Sequence, residues 1–241
     1  MANIIKIQSH IVKRHERALN KKRNANTKEV RVYFLIVCEG EKTEPNYFKS
    51  FKTNVKSFVL TIDTLGEGSN TKDLVKRTIK ARDNSSQLYD SVWAVFDRDS
   101  FNSSNFNGAI QLAENNKIKV GWSNEAFELW YLLHFQYRNT YMSREDYKRA
   151  IEKEVNDKMV AQTKSKNIKK FEYKKNSEEM YSILEKYGNQ KQAVSYAEKL
   201  ISNYHCQNFA IQNPCTRIHL LVNELNGDST ELNDEIKYRI K

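Results

Sequence analysis

Two acidic signals sit where a carboxylate could do chemistry. Glu39 follows an apolar run, residues 32–38, and Gly40 comes directly after it. Asp97 and Asp99 flank Arg98 directly behind a second apolar run, residues 92–96. Alternate residues of an extended segment point the same way, so Asp97 and Asp99 can project together. Two close carboxylates repel, and burying either one without a partner is costly. A divalent cation resolves the conflict. Magnesium, with manganese as the alternative, takes a few carboxylates plus waters and accompanies phosphate chemistry. Asp-x-Asp by itself is frequent in surface turns. Its weight comes from lying behind one strand while Glu-Gly lies behind another.

Other charged residues crowd these signals. Glu41 and Glu44 share the turn after Glu39, where a helix must begin, and read as residues of a second layer or of the helix start. Lys42 and Arg98 could neutralise charge nearby. Glu128 interrupts the apolar pattern of residues 125–135 and needs a partner, either a core arginine or the metal site. Arg217 could reach a phosphate or tie the C-terminal helix to the domain. His134 reads as a hydrogen-bonded core histidine. Cys215 and His219 lack the paired cysteines of a zinc site. Gly40-Glu-Lys-Thr43 resembles the end of a phosphate-binding loop, but Glu41 and Ile36 stand where that motif needs glycine.

The elements that must position these residues alternate regularly. Strands are expected at 32–38, 57–63, 91–96 and 118–122, with helices starting near Thr43 (as N-cap before Pro45), Asn70 or Thr71, Gly108 and Glu125. Ser123 and Asn124 would cap the last of these. Four consecutive βα units predict an α/β fold with a mainly parallel sheet flanked by helices. In open sheets of this kind, ligands bind outside the carboxyl ends of the strands. After Tyr141 strand signals vanish, and helices are expected at 144–155, 177–186, 193–204 and 216–225. The chain thus reads as a basic N-terminal arm (1–30), an α/β domain (31–142) and a helical C-terminal region (143–241). The seven lysines between Lys158 and Lys175 mark an exposed loop or frayed helix, with Phe171 and Tyr173 as its lone aromatics. Lysines and aromatics so mixed could also hold a single strand.

Forty Lys and Arg against thirty Asp and Glu give a net charge of +10, which favours phosphate-bearing partners. Residues 1–31 alone carry nine basic side chains and two acids. No stretch is long and apolar enough to span a membrane. Three scattered cysteines imply no disulfide framework, and a signal peptide is not evident, so a cytoplasmic location is expected.

Glu39-Gly40 and Asp97-Arg98-Asp99 resemble the Toprim domain shared by topoisomerases, primases and a class of nucleases. More closely, several ordered motifs resemble the RloB family. They are Val37-Cys-Glu-Gly-Glu-Lys-Thr-Glu-Pro-Asn-Tyr-Phe48, Phe96-Asp-Arg-Asp99, Ser123-Asn-Glu-Ala-Phe-Glu-Leu-Trp130, Leu133-His-Phe135 and Asn213-Pro-Cys-Thr-Arg217. The resemblance implies a Toprim-like fold, a bacterial anti-phage defence (abortive infection) setting and a partner ATPase. It also implies Glu39 as general acid or base and Asp97 and Asp99 as the metal pair. Many Toprim proteins carry another acid four residues after the glutamate. Here that position is Thr43, between Glu41 and Glu44. The expected activity is magnesium-dependent cleavage of DNA or RNA, including tRNA. The alternative is a non-catalytic module that binds nucleic acid and a partner ATPase.

Overall fold

Side chains of β1 (Val30–Cys38) divide alternately between two cores, as the period of a strand requires. Val32, Phe34, Ile36 and Cys38 enter a first apolar cluster, and Leu35 and Val37 a second. A strand that is apolar on both faces must be covered on both. The computed structural model describes residues 30–55, 58–66, 71–99, 102–164 and 169–240. In chain order it contains α1 (Thr43–Lys49), β2 (Asn54–Val55), β3 (Phe58–Gly66), α2 (Thr71–Asn84), β4 (Ser91–Asp97), α3 (Ser103–Asn115) and β5 (Lys119–Asn124). There follow α4 (Glu128–Leu133), α5 (Arg144–Thr163), α6 (Met180–Tyr187), α7 (Gln190–Ser202), β6 (Cys215–Thr216), α8 (Ile218–Leu225) and α9 (Thr230–Ile240).

The sheet order is β2-β3-β1-β4-β5-β6. β3, β1, β4 and β5 run parallel, and β2 and β6 pair antiparallel at the two edges. The expected α/β class with a mainly parallel sheet, flanking helices and helices toward the C-terminus is therefore found. α2 and α3 cover the second cluster, while α1 and α4 through α9 build the first. β4 follows the same parity as β1. Trp93 and Val95 enter the first cluster, whereas Val92, Ala94 and Phe96 enter the second. Each fully buried large apolar side chain contributes about 2 kcal/mol. On the first face, the Trp130 indole N–H donates to the Tyr47 hydroxyl at 2.8 Å, which clasps α4 to α1 inside the core. Those two helices carry Glu128 and Glu44. No described helix is long and apolar enough to cross a membrane.

Several local expectations change. Thr43 does not cap α1; its hydroxyl donates to the carbonyl of Lys175 at 2.6 Å. The helix expected over 125–135 shortens to α4, because the carbonyl of Glu125 accepts the amide of Asp99. Ser123 and Asn124 belong to β5 rather than to a cap. The Ser123 hydroxyl bonds to that of Thr216, and the Asn124 side chain donates to the carbonyl of Ala210. β2 and β6 have two residues each, too few to show alternation in sequence. The helix expected at 144–155 runs on to Thr163, and α9 was not anticipated. Residues 1–29 of the basic arm and the Asn70 cap lie outside the described residues, and Val30 already belongs to β1.

Candidate metal and catalytic centre

The backbone N–H of Glu39 donates to the carbonyl of Val95 at 2.8 Å, extending the β1–β4 ladder by one residue. The Oε2 of Glu39 accepts the N–H of Asp97 at 3.1 Å. Parallel neighbours end on the same edge, so residues 58 positions apart in sequence become hydrogen-bonded there. Asp97 keeps the parity of Trp93 and Val95, so it belongs to the face covered by α1 and α4.

The turn behind β4 is held from several sides. The Arg98 amide donates to the carbonyl of Ser123 at 2.8 Å, and its Nη1 donates to the carbonyl of Asp99 at 2.9 Å. Asp99 has φ of 39°, in the left-handed region that aspartate enters more readily than most non-glycine residues. Arg98 thus serves its own turn. The Asp97 side chain is 14% exposed and that of Asp99 44%, so one carboxylate is set into the protein and the other meets solvent.

Glu44 and Glu128 complete the cluster. Glu44 is buried in the first turn of α1, and its Oε2 has no hydrogen-bond partner among the described residues. Its carboxylate lies where a Cβ on Gly40 would be, which accounts for glycine directly behind Glu39. Glu128, buried at the start of α4, accepts the Tyr173 hydroxyl at 2.9 Å.

Burial first, then the nearby Glu44 and Glu128, push the Asp97 carboxyl well above its usual range, against the pull of Arg144. Burial and the neighbouring Glu128 raise Glu44 likewise. Burial raises Glu39 to about 7, opposed by the Asp97 N–H and reinforced by Glu44 and Asp99. Five carboxylates therefore share one field.

Two contributors were not legible in the sequence. Arg144, the first residue of α5, places Nη2 at 3.2 Å from Asp99 Oδ2 and 3.6 Å from Asp97 Oδ2. A capping box between Ser143 and Asp146 fixes that helix start. Ser143-x-x-Asp146 marks the helix start in sequence, but nothing there says which sheet edge it approaches. The second contributor is the end of the lysine-rich stretch, which is not simply an exposed loop. Tyr173 is buried, its amide donates to Glu152 at 2.8 Å, and the Lys175 charge offsets that of Glu44.

The remaining candidates fall into place around this edge or away from it. Glu41 and Lys42 are exposed on the turn between β1 and α1. Arg217 is not brought to the carboxylates. Its amide donates to the carbonyl of Trp122, and its guanidinium lies 4.6 Å from the Phe209 ring centre. His134 Nδ1 donates to the carbonyl of Trp130 at 2.9 Å, and burial lowers its pKa to about 4, so it is a neutral core histidine.

Among the described residues, no three His, Cys, Asp or Glu side chains form a ready-made metal cage. Magnesium does not require one, since it binds through one or two carboxylates and keeps several waters. One set-in carboxylate, one solvent-facing carboxylate and a buried, unpartnered Glu44 oxygen fit such an ion. Asp97 and Asp99 would hold it.

The model of one protein family, described as RloB-like protein, matches residues 34–225, the greater part of the chain. No curated protein and no solved structure matches it.

Proposed function

The chain belongs to the RloB-like family, and we propose that it is a magnesium-dependent nuclease that cleaves phosphodiester bonds of nucleic acid. One observation carries the reading. Five carboxylates converge on the carboxyl edge of a parallel sheet, around an Asp97 whose burial and neighbours disfavour its negative charge. Magnesium at this edge would supply Lewis-acid polarisation of the scissile phosphate and acidify a nearby water.

The residues of the chain have distinct tasks. Asp97 and Asp99 would hold the ion, Asp97 set into the protein and Asp99 open to solvent. Glu39 titrates near neutrality, so it can take or give a proton at the attacking or leaving oxygen. The Asp97 amide fixes Oε2 of Glu39 and leaves Oε1 for that exchange. Lys42 and Lys175 supply positive charge beside the edge, and the net charge of +10 draws in a polyanion. Manganese would serve in place of magnesium. A partner ATPase and an anti-phage role belong to the same proposal through the family resemblance, and a cytoplasmic location through the scattered cysteines and the sequence's lack of an evident signal peptide.

The test is incubation of the purified protein with DNA, total RNA and tRNA, with and without magnesium or manganese and with and without the partner ATPase. Cleavage should require metal and should vanish in Asp97→Ala and Asp99→Ala. Variants that cut as fast as wild type would overturn the assignment. So would nucleic-acid binding that survives loss of Glu39, Asp97 and Asp99 together with no cleavage under any condition. That second outcome would mark a binding module instead.

A further inference from the structure

Arg144 sits where the proposed metal would need to be. Its Nη2 lies 3.2 Å from Asp99 Oδ2 and 3.6 Å from Asp97 Oδ2. A guanidinium and a divalent cation repel each other and compete for the charge of the same two carboxylates. A metal bound there would weaken the hold of both aspartates on Arg144.

Several features show where the displaced group would remain. Arg144 is anchored at the first position of a 20-residue helix, held by the capping box of Ser143 and Asp146. Its backbone is thus fixed while its side chain, 38% exposed, has room to turn. The amino end of a long helix adds partial positive charge at the same place. The Nε of Arg144 is buried without an acceptor among the described residues, so its donors are only partly used in ion pairing. Turned outward beside the proposed metal site, a planar fork whose Nε has no acceptor would match the geometry of a phosphate group.

We infer that Arg144 is a phosphate-binding residue of the active edge, which serves as counter-ion of Asp97 and Asp99 without metal and is released to the nucleic-acid backbone when metal binds. The inference rests on the metal-site reading above. It assigns a task to a residue that the sequence motifs do not include. It also makes metal and nucleic acid help each other bind, since each ligand removes a cost from the other.

Two affinities of Arg144→Gln should move in opposite directions. Manganese binding without nucleic acid, followed by calorimetry or electron paramagnetic resonance, should tighten by about tenfold, because the competing cation is gone. Binding of a short fluorescent RNA, and of the DNA oligonucleotide of the same sequence, is then compared in a Glu39→Gln background that blocks turnover. With manganese the added Arg144→Gln change should weaken it by about tenfold, and in EDTA it should leave it unchanged. Arg144→Lys, which keeps the charge but not the fork, should fall between the two and serves as the readout if Arg144→Gln does not fold. A purely structural arginine would give no tightening of manganese. That result, or an equal loss of oligonucleotide affinity in EDTA, overturns the inference and leaves the metal site standing. Failure of both wild type and Arg144→Gln to bind manganese overturns the metal reading and this inference with it.

Discussion

Replacing Glu39 by glutamine should make the metal-free protein more stable while disabling it. In the fold its pKa lies at about 7 against an ordinary value of 4.5, with burial as the main cause. Between those values the folded state binds more protons than the unfolded one, so stability falls as pH rises through the interval. The penalty is absent below the lower value and complete above the higher one. At 1.36 kcal/mol per pH unit the difference amounts to about 3 kcal/mol. Solvent at the half-buried side chain screens part of this, leaving about 2 kcal/mol. Glutamine still accepts the Asp97 N–H, so the hydrogen bond is kept. In EDTA at about pH 8, Glu39→Gln should therefore melt about 4–8 °C above wild type. The gap should close toward about pH 4.5, where both side chains are neutral. Magnesium should narrow it from the other side by favouring the carboxylate. Cleavage should drop by about 10²–10⁴-fold, as for loss of a general acid or base. Thermal and urea denaturation across pH, in EDTA and in magnesium, measure all of this. A variant no more stable than wild type at alkaline pH, or a gap that does not change with pH, would refute the electrostatic account of the site.

Three further substitutions probe the supports of the edge. Tyr173→Phe leaves Glu128 buried without its donor, and urea denaturation should show a loss of about 1–3 kcal/mol. Gly40→Ala places a methyl group in the Glu44 carboxylate, at a cost of about 1–3 kcal/mol. The double variant Gly40→Ala, Glu44→Ala should recover most of that loss in a double-mutant cycle. Ser143→Ala removes the cap of α5 and should cost about 1 kcal/mol by chemical denaturation.

The meeting of Glu39 with Asp97 is legible in the sequence, because a parallel sheet puts carboxylates that follow its strands on a single edge. The strands themselves are legible from apolar runs such as residues 32–38. Glu44 is legible only as an acid near a helix start; its approach to Asp97 depends on how α1 lies across the sheet. Glu128 stands out as an acid in an apolar stretch, but its partner Tyr173 comes from a segment whose composition suggests solvent exposure. Arg144 gives least warning. Its local signal describes a helix cap, and its position depends on the packing of Tyr147, Ile151 and Val155 into the first cluster. The start of α4 is misjudged for a related reason, since Asp99 captures a carbonyl that a longer helix would have used. Periodicity carries information about faces, and long-range capture of single polar groups lies beyond it.

The first apolar cluster joins β1 and α4 to helices α5 through α9, across the point where the strand-rich part of the chain ends. The carboxylate-bearing edge is consequently not a portable cassette. A fragment cut after residue 142 would keep Glu39, Asp97 and Asp99 but expose the apolar sides of Leu129, Trp130 and Leu133, and it would lose Arg144 and Tyr173. Such a piece would carry the recognisable motifs without the cations and hydroxyls that make their crowded charges tolerable. Engineering or dissection of this protein must treat the carboxylate edge and the helical half as one inheritable unit.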